Sequence, residues 1–321
     1  MTPWQAWAAN APHSAAPAWT EAAQLALLWG DEATALDGRW TELFRGLRTL
    51  GAVTTMLENE ACALAVTAGL VPGADLSDGW ELRAPDLRLT LWRDQLGFAF
   101  ATGTPRRRAL PAGFTLHGND GQRIVAMELD ESDELGPFAA LAQARRATHE
   151  LHLPQRSPSA APAGPVPRID GPVRQAWART WTRDELDRWL LLRDHHRGQA
   201  YRLLAGRSTT PLSARAFIER LSSRYAADEQ LCVVVGRAGG VLRARTTPQR
   251  LGCSGPQLVL QADALALAVD LRFVAECWAV ELESAETLEL LDDRGALMLR
   301  IGPAALFDAS ERPLWTARTA R

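Results

Sequence analysis

A proline-rich stretch near the middle of the chain limits its folding more than any other feature. Pro154 to Pro167 reads PQRSPSAAPAGPVP, and proline at that density removes backbone donors and blocks both helix and ladder pairing. A domain boundary is expected there. It leaves a first module of residues 1–153, a linker of 154–167 and a second module of 168–321. Each module is near the ~150 residues of an average domain.

The hydrophobic period then gives the order of elements within each module. The first ~50 residues, rich in Ala and Trp, read as helix, with apolar residues at helical spacing from Trp19 to Gly30 and a further turn beginning at Trp40. From Gly51 the period becomes two. Ala52 to Ala65 is strand-like about a turn at Glu58-Asn59-Glu60, and Leu87, Leu89 and Leu91 alternate with Arg88, Thr90 and Trp92. Phe98 and Phe100 continue on another strand, Thr115 to Gln122 is a hairpin with Asn-Asp-Gly at its turn, and Glu134 to Thr148 returns to helix. After the linker the order recurs. Helices are expected from Val173 to about Arg224, followed by strands from Leu231. Leu265, Leu267 and Val269 alternate, Trp278 takes the place of Phe98, and Gly295 matches Gly121. The offset is roughly 175–180 residues. The fold class expected is α+β: a tandem duplication of one module, helices first and an antiparallel meander after.

Composition removes several kinds of function. All 35 basic residues are arginine, so Schiff-base catalysis, pyridoxal phosphate attachment and a P-loop lysine are excluded. A net charge of −3 gives no basic surface for nucleic acid. No apolar run approaches the ~18 residues of a membrane span, and no basic leader precedes an apolar segment. Cys62, Cys232, Cys253 and Cys277 form no CxxC pair. Reduced thiols and a cytoplasmic location are therefore expected.

Five candidate sites are visible, each with a structural alternative. His195-His196 follows a helix opened by the capping box Thr182-x-x-Glu185. An imidazole at a helix corner can ligate haem iron, or two solvated histidines can sit at a helix C-terminus where the dipole favours positive charge. Arg88, on the polar side of a leucine-lined strand, is either a fixed guanidinium for a carboxylate or a solvent-facing side chain. Gly236-Arg237-Ala238-Gly239-Gly240 reads as a glycine hairpin rather than a phosphate cradle. Its return strand carries Arg243 and Arg245 on one face, as an anion pair site or as a solvated face. His149-Glu150-Leu151-His152 has the wrong histidine spacing for a zincin helix. Gly252-Cys253-Ser254-Gly255 is one residue short of a nucleophile elbow.

Taken in order, several stretches resemble the proteobacterial haemin-degrading or haemin-transport factor family. Leu50-Gly51-Ala52-Val53 with Asn59-Glu60 is similar to its "LGEV…RNE", Asp86-Leu87-Arg88-Leu89 to its "DLRL", and Asp130-Glu131-Ser132-Asp133 to its "ESD" helix start. In the second module, Leu191-Leu192-Arg193-Asp194-His195 with Arg197-x-Gln199-Ala200 resembles "LLKRH…RxQA". Val234-Val235-Gly236-Arg237-x-Gly239 resembles "FVGNRG", and Trp278 with Leu288-Glu289-Leu290 resembles "W…SLELF".

The resemblance implies a haem pocket between the modules. It places His195, with His196 as the second choice, on the iron, and Arg88 on the opposite side of the porphyrin. It further implies a cytoplasmic haem carrier or haem-degrading enzyme of iron utilisation, served by haem importer components or an electron donor. Departures weigh against the enzyme. Leu299, Ile301 and Ala304 replace polar pocket residues, Thr90 replaces an aromatic, and Glu58 and Leu64 replace an arginine and a histidine. The alternative is a duplicated scaffold that has lost haem and serves as an interaction protein.

Overall fold

The computed structural model describes residues 20–28, 32–76, 78–103, 111–130, 135–148, 152–154, 197–206, 208–282 and 285–307. Most of the proline linker, the Thr182 capping box, His149, Glu150, His195 and His196 lie outside the described residues. Those that are described form an α+β protein of five helices and eighteen strands, nearly all pairing antiparallel. The chain divides into two compact units. Unit 1 comprises residues 1–57, 65–158 and 238–240, and unit 2 comprises 58–64, 159–237 and 241–321.

Unit 1 opens with α1 (Glu21–Leu28), β1 (Ala33–Ala35) and α2 (Trp40–Leu47). Helix α2 buries Leu43, Phe44 and Leu47, an i, i+1, i+4 stripe that faces the core. Trp80 meets Phe44 edge-on at 5.5 Å and donates its indole N–H to Thr41 Oγ1 at 3.1 Å. There follow β2 (Ala52–Glu58), β3 (Cys62–Gly69), β4 (Val71–Leu76), β5 (Gly79–Ala84), β6 (Leu87–Trp92), β7 (Leu96–Thr102), β8 (Gly113–Gly118), β9 (Arg123–Leu129) and α3 (Leu135–Ala144), the end of β2 and the start of β3, Glu58–Leu64, being counted with unit 2. The strand order is β1-β7-β8-β9-β2-β3, with β4-β5-β6 as a second run.

Unit 2 contains α4 (Arg197–Leu204), β10 (Thr209–Leu212), α5 (Ala214–Ala226), β11 (Leu231–Arg237), β12 (Gly240–Thr246), β13 (Arg250–Ser254), β14 (Gln257–Ala262), β15 (Leu265–Asp270), β16 (Glu276–Leu282), β17 (Ala285–Leu291) and β18 (Leu297–Pro303). Its strands run β10-β16-β17-β18-β11-β12, with β13-β14-β15 as the second run. This repeats the order of unit 1. The correspondence extends to single bonds. In the β8–β9 turn Gly118 N–H donates to the Gln122 carbonyl and Gly121 N–H to that of Gly118. In the β17–β18 turn Asp292 donates to Ala296 and Gly295 to Asp292. Gly121 and Gly295 hold φ of 76° and 75°, the left-handed conformation that closes such a hairpin and that favours glycine.

Two short strands interrupt stretches that the periodicity assigned to helix. Ala33–Ala35 pairs with β7, and Thr209–Leu212 pairs with β16. Neither is long enough to show a period of two, and the neighbouring strand supplies what fixes them. Pro211 is tolerated because β10 ends its sheet. The glycine hairpin forms as β11–β12. Its arginines serve structure: Arg243 donates to the Phe307 carbonyl at 3.2 Å, and the Arg245 guanidinium lies 5.0 Å from the Phe307 ring centroid. Gly252 to Ser254 lies on β13 rather than at a strand-to-helix elbow.

All four cysteines are free; Cys253 is exposed and the other three are buried. Burial pushes the Cys277 thiol up to about 11, which keeps it protonated and unreactive near neutrality. A thiol titration of the native protein should therefore count one fast-reacting group, and four in denaturant. More than one fast group in the native state would contradict this packing.

Candidate functional site

Helix α4 begins at Arg197, the residue after His196 in the sequence. Its sequence, Arg-Gly-Gln-Ala-Tyr-Arg-Leu-Leu, is short and polar, and a helix of this length does not hold in water by itself. Unit 2 supplies the anchor. Arg197 and Tyr201, four residues apart on one side of the helix, both reach Glu289 in the middle of β17. The Arg197 guanidinium lies 3.3 Å from Glu289 Oε2, and the Tyr201 hydroxyl donates to the same oxygen at 2.6 Å. Arg197 also donates to the Tyr201 hydroxyl at 2.9 Å.

The sheet presents Glu289 by register. Trp278 on β16 stands opposite Glu289, and Glu289 stands opposite Arg300 on β18, so the three side chains share one face. Arg300 Nε donates to Glu289 Oε1 at 2.8 Å. Thr287, two residues before Glu289 on the same face, donates to that oxygen at 3.4 Å. The Tyr201 ring meets Trp278 edge-on at 5.7 Å, and its carbonyl accepts from Thr209 Oγ1 at 2.7 Å. Glu289 is 0% exposed and Arg300 2%; such a carboxylate is tolerated only with cations and donors around it. Burial, with the Glu289 carboxylate adding to it, pushes the Tyr201 phenol above its usual range. The hydroxyl therefore remains a donor.

Arg197, Trp278 and Glu289 stand in stretches that carry the resemblance, but none of this network was read as a site residue. Its signal was a charge set inside an apolar strand, Leu288-Glu289-Leu290 and Leu299-Arg300-Ile301. Leu299 and Ile301, where the family pattern has polar residues, pair with Leu290 and Leu288 on the opposite face, and all four are buried. Between them Arg300 points to the other face, toward Glu289.

Gln199 lies two residues from both Arg197 and Tyr201, which at 3.6 residues per turn places it on the opposite side of α4. It is nevertheless only 8% exposed, and its buried Nε2 has no hydrogen-bond partner among the described residues. In the last turn of α4, Arg202 pairs with Glu276, which also accepts from the Trp278 indole at 2.9 Å. These three, with Leu212, Ser213 and Leu271, are among the residues lining a cavity of about 600 Å³.

Arg88 lies on β6, whose leucines 87, 89 and 91 face the core, and its own side chain is half-buried. Directly opposite stands Arg83 on β5. Two like charges so placed repel, and Glu81 on the same face pairs with Arg83. Thr90 completes this polar face. His152 is exposed, and among the described residues no three His, Cys, Asp or Glu side chains converge on a metal position.

No family model matches the chain, and no curated protein matches it. Solved structures do. Apo-PhuS, a haem-binding protein from Pseudomonas aeruginosa, superposes with a TM-score of 0.77 at 20% identity over 94% of this chain and 92% of its own. Holo-PhuS gives the same TM-score and identity over 98% and 94%. ChuS, an E. coli haem oxygenase, gives 0.73 at 17% identity over 88% and 85%. The chain has the fold of PhuS and ChuS. That likeness runs nearly end to end, so the PhuS fold accounts for both units and not for one alone. Among the described residues no helix is long and apolar enough to cross a membrane.

Proposed function

We propose that this protein binds haem in iron utilisation, with His195 or His196 as the axial ligand of the iron and Arg88 as a contact to the porphyrin. The observation that carries the reading is the near end-to-end likeness to holo-PhuS, a haem-binding protein. The recurring element order supports two copies of one module, residues 1–153 and 168–321, joined by 154–167. The location proposed is the cytoplasm, with haem received from import components.

The residues fit the ligand. Imidazole is an ordinary donor to haem iron, and a half-buried guanidinium suits a propionate. Helix α4, which follows the histidines in the sequence, is held to β17 by the buried Arg197–Glu289 ion pair. Bound haem supplies the iron and its redox chemistry; the chain supplies the ligand, its placement and a charge partner for the carboxylates.

Haemin titration of the full-length protein, followed in the Soret region, tests this. The expected result is a sharp, saturable one-to-one band that His195→Ala with His196→Ala abolishes. Arg88→Ala should weaken binding about tenfold, the worth of one charge-assisted hydrogen bond. A broad, unsaturable change common to the wild type and the double variant would overturn the reading in favour of an interaction scaffold.

The likeness to ChuS, a haem oxygenase, favours a second reading, oxidative opening of the ring. With an electron donor and oxygen the Soret band would then disappear and a linear tetrapyrrole would accumulate. A band that only shifts on reduction assigns a carrier.

A further inference from the structure

We propose that Arg83 is a second carboxylate anchor for the bound porphyrin, working beside Arg88 on one open face of unit 1. This rests on the haem reading above and adds to it a residue selected by strand register.

Register puts the two cations side by side. Val71 on β4 stands opposite Arg83 on β5, and Arg83 stands opposite Arg88 on β6. The three side chains therefore form one row across the strands. The row is open: the Arg83 side chain is 44% exposed and Val71 50%. Arg83 is engaged through its Nε, which donates to Glu81 on the same face. Its two terminal nitrogens make no hydrogen bond among the described residues, and that end of a guanidinium is a fork that matches a carboxylate. The backbone of β4 builds in its position. A Cβ at Gly73 would come within 2.7 Å of Arg83 Nε, so the bare glycine lets the side chain lie over β4, away from Arg88. Like charges directly opposite each other cost stability, and a dianion bound across them removes that cost.

The chemistry of the row identifies what it holds. Two guanidiniums on neighbouring strands match two carboxylates of one ligand, and Val71 adds an exposed apolar contact at the end of the row. Haem carries its two propionates on neighbouring pyrroles at one edge, beside apolar methyl groups. Opposed Cβ atoms on paired strands lie about 5 Å apart, close enough for both arginines to meet that edge. A small inorganic anion would engage the cations and leave Val71 bare.

The test is Arg83→Met in the full-length protein, titrated with haemin and with haemin dimethyl ester, whose carboxylates are masked. Haemin affinity is expected to fall about tenfold, and the deficit to vanish with the ester. The melting temperature of the haem-free variant should equal or exceed that of the wild type, because an exposed ion pair contributes little. Gly73→Ala leaves every charge in place and displaces the guanidinium, so it should also weaken haemin and not the ester. An Arg83→Met variant that binds haemin like the wild type overturns the assignment, as does a deficit that persists with the ester. A melting temperature that falls together with affinity also overturns it, by marking Arg83 as a structural residue. Wild-type haemin affinity in Gly73→Ala overturns the placement argued for the guanidinium. If the wild type itself gives no saturable band, the haem reading fails and takes this assignment with it.

Discussion

Glu289→Ala destabilises unit 2 by about 3–5 kcal/mol, the usual consequence of removing one member of a buried ion-pair group. The carboxylate accepts from Arg300, Arg197, Tyr201 and Thr287, and its loss takes from two buried guanidiniums their shared counter-charge. The expected fall in melting temperature is roughly 10 °C or more for a domain of this size. Two further variants separate charge from packing. Tyr201→Phe removes two hydrogen bonds, the one donated to Glu289 and the one accepted from Arg197, and should lose about 1–3 kcal/mol. Replacing Arg197, Glu289 and Arg300 together by Leu, Met and Met should recover most of the stability, since an apolar group of similar volume needs no desolvation. If that triple variant is no more stable than Glu289→Ala, the uncompensated charges are not the source of the loss.

Asn59→Ala is expected to destabilise unit 2 by about 2–4 kcal/mol, from several hydrogen bonds lost at once. Its Oδ1 accepts from the backbone N–H of Ala61 at 3.1 Å and of Cys62 at 2.9 Å, closing the turn into β3. Its Nδ2 donates to the carbonyls of Gly236 at 3.0 Å and Met298 at 2.9 Å. Asn59→Asp is the informative partner. It retains the acceptor half and sets a carboxylate oxygen against two carbonyl oxygens, so it should be at least as unstable as alanine. Denaturant melts of the two variants decide the matter, and an aspartate variant near wild-type stability would assign the stabilisation to the turn alone.

Much of the strand pattern was legible because a sheet with one apolar face writes a period of two. Leu87, Leu89 and Leu91 alternate in the sequence and are all buried in the fold. The two hairpins of the recurring order were legible from glycine, since Gly121 and Gly295 occupy backbone conformations that other residues avoid. The short strands β1 and β10 were not, because three or four residues show no period. The candidate site was legible only in part. Arg88 stands on the polar face of its strand as expected, half-buried rather than simply solvated.

Glu289, Arg300, Tyr201 and Arg197 share a site that sequence order hides. They lie up to about a hundred residues apart, and each in isolation resembles a surface side chain. The sequence by itself determined the α+β class, the repeated order of elements and the absence of lysine chemistry, because hydrophobic period, turn residues and composition are local properties. Only the tertiary structure decided that Glu289 is buried between two arginines and that Asn59 spans to Gly236 and Met298. Hydrogen-bond satisfaction depends on groups brought together by folding, and no local pattern encodes it.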